Sequence, residues 1–326
     1  MNLEYYNYYL PLELIAQEAV HPRDHCKLMV LYNEKIEHKK FHEIVDYLQK
    51  DDILVVNETK VQHCKILGKK ETGARVEVTI VRNLGNNNYE TRIKGGKLRE
   101  GVLLIFKCNK ARIMKRQDDC FFLEFEKPLQ TKELEILTPP YIKKKVRERD
   151  YQTVFAKNLG SLAAPTAGLH FTKKLMSKIQ KKGVKIAKVQ LNISFETFLP
   201  VRDVNNHKTG KEYFIIDKRN AGIINSNPKN IVAVGTTVVK CLESCNWNND
   251  KIIPTTGDSH IFIKPGYEFK MPCKAMITNF HLPKSSLLLL TAAFAGRQGL
   301  LKAYEEAVKL KYRFFSLGDA MIIFRK

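Results

Sequence analysis

The chain lacks a hydrophobic run long enough to cross a membrane. Its longest apolar run near the C-terminus, residues 285–295, has the length of a core helix or strand. No leader of the secretory kind is expected, since residues 1–10 carry charge and four tyrosines in place of a smooth apolar stretch. A cytoplasmic protein is therefore expected. It lacks a cysteine framework. Its seven cysteines (26, 64, 108, 120, 241, 245 and 273) are scattered and odd in number, which argues against secretion and disulfides. Only Cys241 and Cys245 lie close together, and no second pair stands at zinc-site spacing, so no metal is expected. It is also short of acid, with 34 Asp and Glu against 55 Lys and Arg, a net charge of +21. Such an excess points to a polyanionic partner, usually nucleic acid. The alternative is a lysine-rich surface that is merely solvated. Clustering of charge in residues 143–149, Lys-Lys-Lys-Val-Arg-Glu-Arg, favours the first.

What is present suffices for a sizeable core and two domains in 326 residues. Apolar runs at 27–31, 53–56, 185–191, 231–234 and 275–277 read as strands. Spacing of apolar residues predicts helices over 40–48, 172–182, 238–244 and 300–309. Residues 260–263 read as a further strand, and 246–256 as a polar loop. Between 66 and 137 the texture changes to short strands punctuated by glycine, asparagine and aspartate, the pattern of a small β-barrel. The expected fold is therefore an α/β (mixed α+β) main domain, residues 1–65 and 138–326, with an inserted small β-barrel domain, residues 66–137.

Three segments carry candidate chemistry. Residues 160–172, Gly-Ser-Leu-Ala-Ala-Pro-Thr-Ala-Gly-Leu-His-Phe-Thr, have little side-chain bulk, which lets a ligand approach the backbone. They feed a helix for which Thr172 is a candidate N-cap, and a helix start offers N–H groups to an anion. A structural turn with a buried histidine explains the same residues equally well. The strand at 231–234 ends in Gly235-Thr236-Thr237 before a helix, repeating the arrangement. The strand at 275–277 leads into Thr278-Asn279-Phe280-His281-Leu282-Pro283-Lys284-Ser285.

Taken together and in order, these motifs resemble the S-adenosylmethionine:tRNA ribosyltransferase-isomerase family of queuosine synthesis, nearly end to end. Pro139-Pro140-Tyr141-Ile142, Asp150-Tyr151-Gln152-Thr153, Ala163 to Thr172, Val234 to Thr237, Leu242-Glu243-Ser244, Thr278 to Ser285, Tyr312 to Ser316 and Gly318-Asp319-Ala320-Met321 carry the likeness. The resemblance implies transfer of the ribosyl part of S-adenosylmethionine onto 7-aminomethyl-7-deazaguanine at the tRNA wobble position. Epoxyqueuosine forms, and adenine and methionine leave. It implies S-adenosylmethionine as a substrate and a tRNA partner; no metal, no membrane and a monomer are the accompanying expectations.

Proton removal beside the sulfonium needs a base, and adenine departure is helped by an acid. The candidates are His170, His281 and Asp319, with Glu212 and Glu243 behind them. Candidates for S-adenosylmethionine contact are Gly168, Leu169, Phe171, Thr172, Gly235, Thr236, Thr237, Asn279 and Phe280. Core packing is the stronger alternative for Phe280. Candidates for tRNA phosphates are Lys60, Lys143, Lys144, Lys145, Arg147 and Arg149. The chain departs from the family pattern at Asn192, Ser194 and Glu196, where a histidine and two glycines are replaced, at Thr209 and Gly210, and at Lys60 and Lys240, lysines in arginine positions. These departures leave open a non-catalytic RNA-binding member, or a transferase with another acceptor base. On the charge argument, tRNA binding weakens strongly with salt. Titrations at low and moderate salt check this, and a flat affinity contradicts it.

Overall fold

The computed structural model describes residues 1–194, 201, 203–204, 207 and 209–325. In chain order the first strands are β1 (Lys27–Tyr32), β2 (Lys35–Lys40), β3 (Ile53–Asn57) and β4 (Thr59–Val61). There follow β5 (His63–Lys70), β6 (Arg75–Gly85), β7 (Asn88–Lys94), β8 (Leu103–Phe106), β9 (Lys110–Gln117), β10 (Cys120–Phe125) and β11 (Glu135–Ile136). Then come β12 (Asn158–Ser161), α1 (Lys173–Lys181), β13 (Lys185–Leu191), β14 (Glu212–Ile216), α2 (Lys218–Asn225), β15 (Ile231–Val234) and α3 (Thr236–Ser244). The chain closes with β16 (Trp247–Asn248), β17 (Lys251–Ile252), β18 (Thr255–Ser259), β19 (Cys273–Asn279), α4 (Ser286–Ala295), α5 (Arg297–Lys309) and β20 (Ala320–Phe324). The chain divides into two units, Met1–Lys60 with Pro139–Lys326, and Val61–Thr138.

The larger unit is built on a nine-stranded sheet in the order β18-β14-β13-β3-β15-β19-β20-β1-β2. Neighbours β13, β3, β15 and β19 run parallel, so their C-terminal ends share one edge. Alternate residues of β3, β15 and β19 face opposite cores. Ile53, Val55, Ile231, Ala233 and Met276 join one core with α2 to α5. Leu54, Val56, Val232, Val234 and Ile277 join the other with Leu175 and Ile179 of α1. A sheet covered on both faces reads as continuous apolar runs, which is why these strands stood out in the sequence.

In the smaller unit, β5-β6-β7-β10-β9-β8 form a sheet that β5 and β8 close into a six-stranded barrel. Its interior holds Val78, Leu104, Ile113 and Leu123, with the Phe106 and Phe125 rings stacked at 5.4 Å. The mixed α/β body interrupted by a barrel is the expected fold class.

Several local expectations change. Residues 40–48 form a 3₁₀ helix, Phe41–Tyr47, rather than an α-helix. Its Glu43 carboxylate accepts from the Lys40 N–H at 2.6 Å, and Phe41 and Ile44 are buried. The strand expected at 260–263 is absent. The pairing segment is β18, whose residues Thr255 to Ser259 bond to β14. Being at the sheet edge, β18 is polar on its open side, while Ile263 is buried without joining the ladder. The expected polar loop holds the β16–β17 hairpin, with Asn249 and Asp250 at φ 47° and 60°, the conformation such tight turns require. Helix α2 and strand β2 were not legible. The apolar run at 285–295 is α4, capped by Ser285, with buried residues around its circumference. Among the described residues no helix is long and apolar enough to cross a membrane.

The barrel closes where Gly68 faces Phe106. A Cβ at Gly68 would stand 2.6 Å from the Phe106 ring and 2.9 Å from the Ile105 carbonyl oxygen. Gly68→Ala therefore strains the closing seam and lowers unfolding stability by about 1–3 kcal/mol. Urea unfolding measures this, and an unchanged midpoint contradicts it.

Candidate active site

The parallel strands β15 and β19 end side by side. The Gly235 N–H, just past β15, donates to the Ile277 carbonyl of β19 at 2.7 Å. The chain then turns at Gly235 with φ 94°, a conformation that glycine adopts without strain, and enters α3. In open α/β sheets, ligand sites lie beyond such strand ends. Here that space is a cavity of about 220 Å³. Its walls come from the start of α3, from Thr278 to Ser285, from Ala163 to Ala167, and from Tyr141 and Ser316.

Two buried oxygens in this wall have no hydrogen-bond partner among the described residues, Thr237 Oγ1 and Asn279 Oδ1. Leaving such a group unpaired in a protein interior costs about 1–3 kcal/mol. Asn279 Nδ2 donates to the Phe315 carbonyl at 3.0 Å and faces His170 Nε2 at 3.1 Å. His281 also lines the cavity. Its Nε2 pairs with Thr278 Oγ1 at 2.8 Å, and its backbone N–H donates to Tyr304 Oη at 2.9 Å. Tyr141 Oη bonds Ser316 Oγ at 2.6 Å. Burial pushes the Tyr141 hydroxyl up to about 12, so it stays protonated.

Of the residues singled out in the sequence, Gly235, Thr236, Thr237, Asn279, Phe280 and His281 meet at this cavity. Phe280 is nevertheless fully buried within a ring cluster, 5.0 Å from Phe314 and 5.3 Å from Tyr304. The others lie elsewhere. Gly168 makes room for its neighbours, since a Cβ there would stand 2.7 Å from Phe155 and 2.9 Å from Thr153. Phe171 is fully buried, edge-on to Phe41 at 5.0 Å. The Thr172 hydroxyl caps α1 by accepting from Leu175 N–H at 3.1 Å, and donates to Asp24 at 2.7 Å. The helix start facing the cavity is therefore that of α3. Leu169 and His170 border a separate crevice of about 10 Å³.

The three candidate carboxylates are each engaged. Asp319 accepts from the backbone N–H groups of Lys27 and Arg313, both at 2.8 Å. Burial raises its pKa, and those two donors oppose the rise. Glu243, with no exposure, accepts from Tyr267 Oη at 2.9 Å, Lys270 N–H at 3.0 Å and Met271 N–H at 2.9 Å. It tethers the segment leading into β19. Glu212 pairs with the Lys240 ammonium beside a second, smaller cavity of about 30 Å³. Lys240 lines both cavities.

In the sequence Tyr141, Thr278 and Ser316 stand out only as parts of motifs, and Lys240 only as a lysine in an arginine position. Their place in the wall depends on which side of each segment faces inward. At the departing positions, Asn192 Oδ1 accepts from Thr59 Oγ1 at 2.8 Å. Ser194, Thr209 and Gly210 line the smaller cavity with Glu212. Glu196 lies outside the described residues. Lys60 is half-buried, and Lys143, Lys144 and Lys145 are exposed. Lys144 pairs with Glu18. Arg147 bonds the carboxylate of Asp150 at 2.7 Å, and Arg149 lies 4.0 Å from it. Among the described residues no group of three or more His, Cys, Asp or Glu is arranged to hold a metal ion.

Both buried histidines are held neutral. Burial brings His170 down to about 4. Burial alone brings His281 down to about 3. The unfolded chain takes up these protons from an ordinary value of about 6.5 downward, while the folded chain refuses them until about 4 and about 3. Stability therefore falls as pH drops through that window. Urea midpoints at about pH 7 and about pH 4.5 should show it, with a shallower slope in His281→Asn. A wild-type slope in the variant contradicts the assignment.

The comparisons agree with this architecture. A model of the family described as "Queuosine biosynthesis protein" matches residues 3–323. A Sulfurihydrogenibium sp. (strain YO3AOP1) protein named S-adenosylmethionine:tRNA ribosyltransferase-isomerase is 45% identical, covering 99% of this chain and 100% of the relative. A protein of the same name from Desulforamulus reducens is 43% identical with the same coverage. Among solved structures, the S-adenosylmethionine tRNA ribosyltransferase of Thermotoga maritima aligns with a TM-score of 0.58 at 35% identity, covering 98% of this chain and 100% of that one. With that much of its length matched, the chain belongs to the queuosine biosynthesis protein family.

Proposed function

We propose that this chain is an S-adenosylmethionine:tRNA ribosyltransferase-isomerase, as its relatives are named, and that the cavity beyond β15 and β19 seats the adenosyl part of S-adenosylmethionine. The observation that carries the reading is the pair of unpartnered acceptors, Thr237 Oγ1 and Asn279 Oδ1, in one cavity wall. S-adenosylmethionine supplies donors for them in its adenine amine and ribose hydroxyls.

In this reading the acceptor is the aminomethyl group of a 7-deazaguanine at the wobble position of tRNA. The reaction takes place in the cytoplasm. The exposed Lys143, Lys144 and Lys145 meet tRNA phosphates, and such contacts position a substrate without reading its sequence. Arg147 and Arg149, turned toward Asp150, contribute less.

His281 is the titratable group of the original candidates that borders the cavity, and it is the proposed proton carrier. Neutral imidazole has a lone pair to take a C5′ proton beside the sulfonium. The burial that lowers its pKa also makes the resulting imidazolium a strong acid. It then passes the proton to the departing adenine. Glu243 and Asp319 act on the fold, holding the backbone on which the site stands. Glu212 fixes Lys240 at the cavity border.

His281→Ala is expected to lower kcat by roughly a hundredfold or more, the usual size of a general acid–base contribution. Binding of S-adenosylmethionine should change much less. A kcat near wild type, measured by adenine release with precursor-bearing tRNA, removes His281 from the mechanism. Thr237→Val is expected to raise the unfolding midpoint of the free protein, because it deletes an unpaired buried hydroxyl. The same change weakens S-adenosylmethionine binding by roughly tenfold. Calorimetric binding unchanged from wild type contradicts the placement of the adenosyl group.

A further inference from the structure

A line of three side chains runs inward from the cavity wall. Asn279 stands at its outer end with Oδ1 unpaired. Its Nδ2 lies 3.0 Å from the Phe315 carbonyl oxygen and 3.1 Å from His170 Nε2. The carbonyl identifies the nitrogen, since a flipped amide would set oxygen against oxygen. With Nδ2 as donor to both, His170 Nε2 must be the bare ring nitrogen. The ring proton then sits on Nδ1, which faces Cys26 Sγ at 3.1 Å.

His170 itself is enclosed. It is 4% exposed and its ring lies 5.0 Å from that of Phe41. It does not border the large cavity, and the crevice it does border, about 10 Å³, has no room for a substrate. Cys26 is 3% exposed. Its thiol is pushed up by burial, then by the nearby Asp319 charge. It therefore stays a neutral thiol, whose sulfur accepts from the Nδ1 proton that the Asn279 contact implies.

We infer that His170 is a positioning residue, whose bare Nε2 acts together with the Phe315 carbonyl to hold both hydrogens of the Asn279 amide, so that only its oxygen is left for the ligand. The inference rests on the placement of S-adenosylmethionine in the same cavity. Its consequence is selectivity, because a fixed acceptor rewards a donor on the ligand and penalises an acceptor. A rotating amide satisfies either and discriminates less.

The test is a double-mutant cycle read by S-adenosylmethionine binding, with thermal unfolding measured alongside. Asn279→Ala is expected to weaken binding roughly tenfold, the loss of about one hydrogen bond. His170→Leu should cost a smaller factor, roughly threefold, because the Phe315 carbonyl still holds one amide hydrogen. The double variant should cost little more than Asn279→Ala alone, since one residue acts through the other. His170→Gln, whose amide oxygen can stand in for Nε2, should recover most of the loss even if His170→Leu folds poorly. The ring ¹⁵N spectrum of folded wild-type protein should show Nε2 unprotonated. Losses that add independently, a glutamine variant no better than leucine at equal stability, or a protonated Nε2 overturn the inference. Wild-type binding by Asn279→Ala overturns instead the placement of the ligand, a separate failure.

Discussion

A sheet buried on both faces leaves a chain one place for polar chemistry, beyond the ends of its strands. Strands β3, β15 and β19 alternate their side chains between two apolar cores, so ligand-binding groups on those faces would have to displace packing. The same strands run parallel and finish along one edge. There Gly235 turns the chain and donates to Ile277 at 2.7 Å, tying two strand ends together. The cavity, its unpaired oxygens and the neutral His281 all follow from where those strands stop.

The surrounding polar groups divide into those that serve the backbone and those left without a partner among the described residues. Glu243 and Asp319 spend their carboxylate oxygens on backbone N–H groups of distant segments. A buried carboxylate satisfied in this way orders the loops around a site without entering it. Thr237 Oγ1 and Asn279 Oδ1 are the opposite case, costly in the free protein and repaid only by a partner. Such local instability is typical of a functional site.

Much of the scaffold was legible because burial on both faces leaves a strong pattern. The strands 53–56 and 231–234 fall in β3 and β15, and Thr172 caps α1. Strand β18 escaped because an edge strand is polar where it meets water, and α2 because its short amphipathic stripe is weak beside its lysine and asparagine residues. In the site, the motifs around Gly235 and Asn279 were visible as segments. Which side of each segment faces the cavity was not. Gly168 and His170 belong to the most conspicuous motif, yet Gly168 yields space to Phe155 and His170 stands behind Asn279. Tertiary packing decides that, and linear spacing carries no record of it.

The central claim is that the ends of β15 and β19 form the seat of the adenosyl group. A crystal structure of this chain with bound S-adenosylmethionine, or an unreactive sulfonium analogue, tests it most directly. The account predicts ligand donors within hydrogen-bond distance of Thr237 Oγ1 and Asn279 Oδ1, with the sulfonium end toward His281. Density for the adenosyl group anywhere other than beside Gly235 and Asn279 would contradict it.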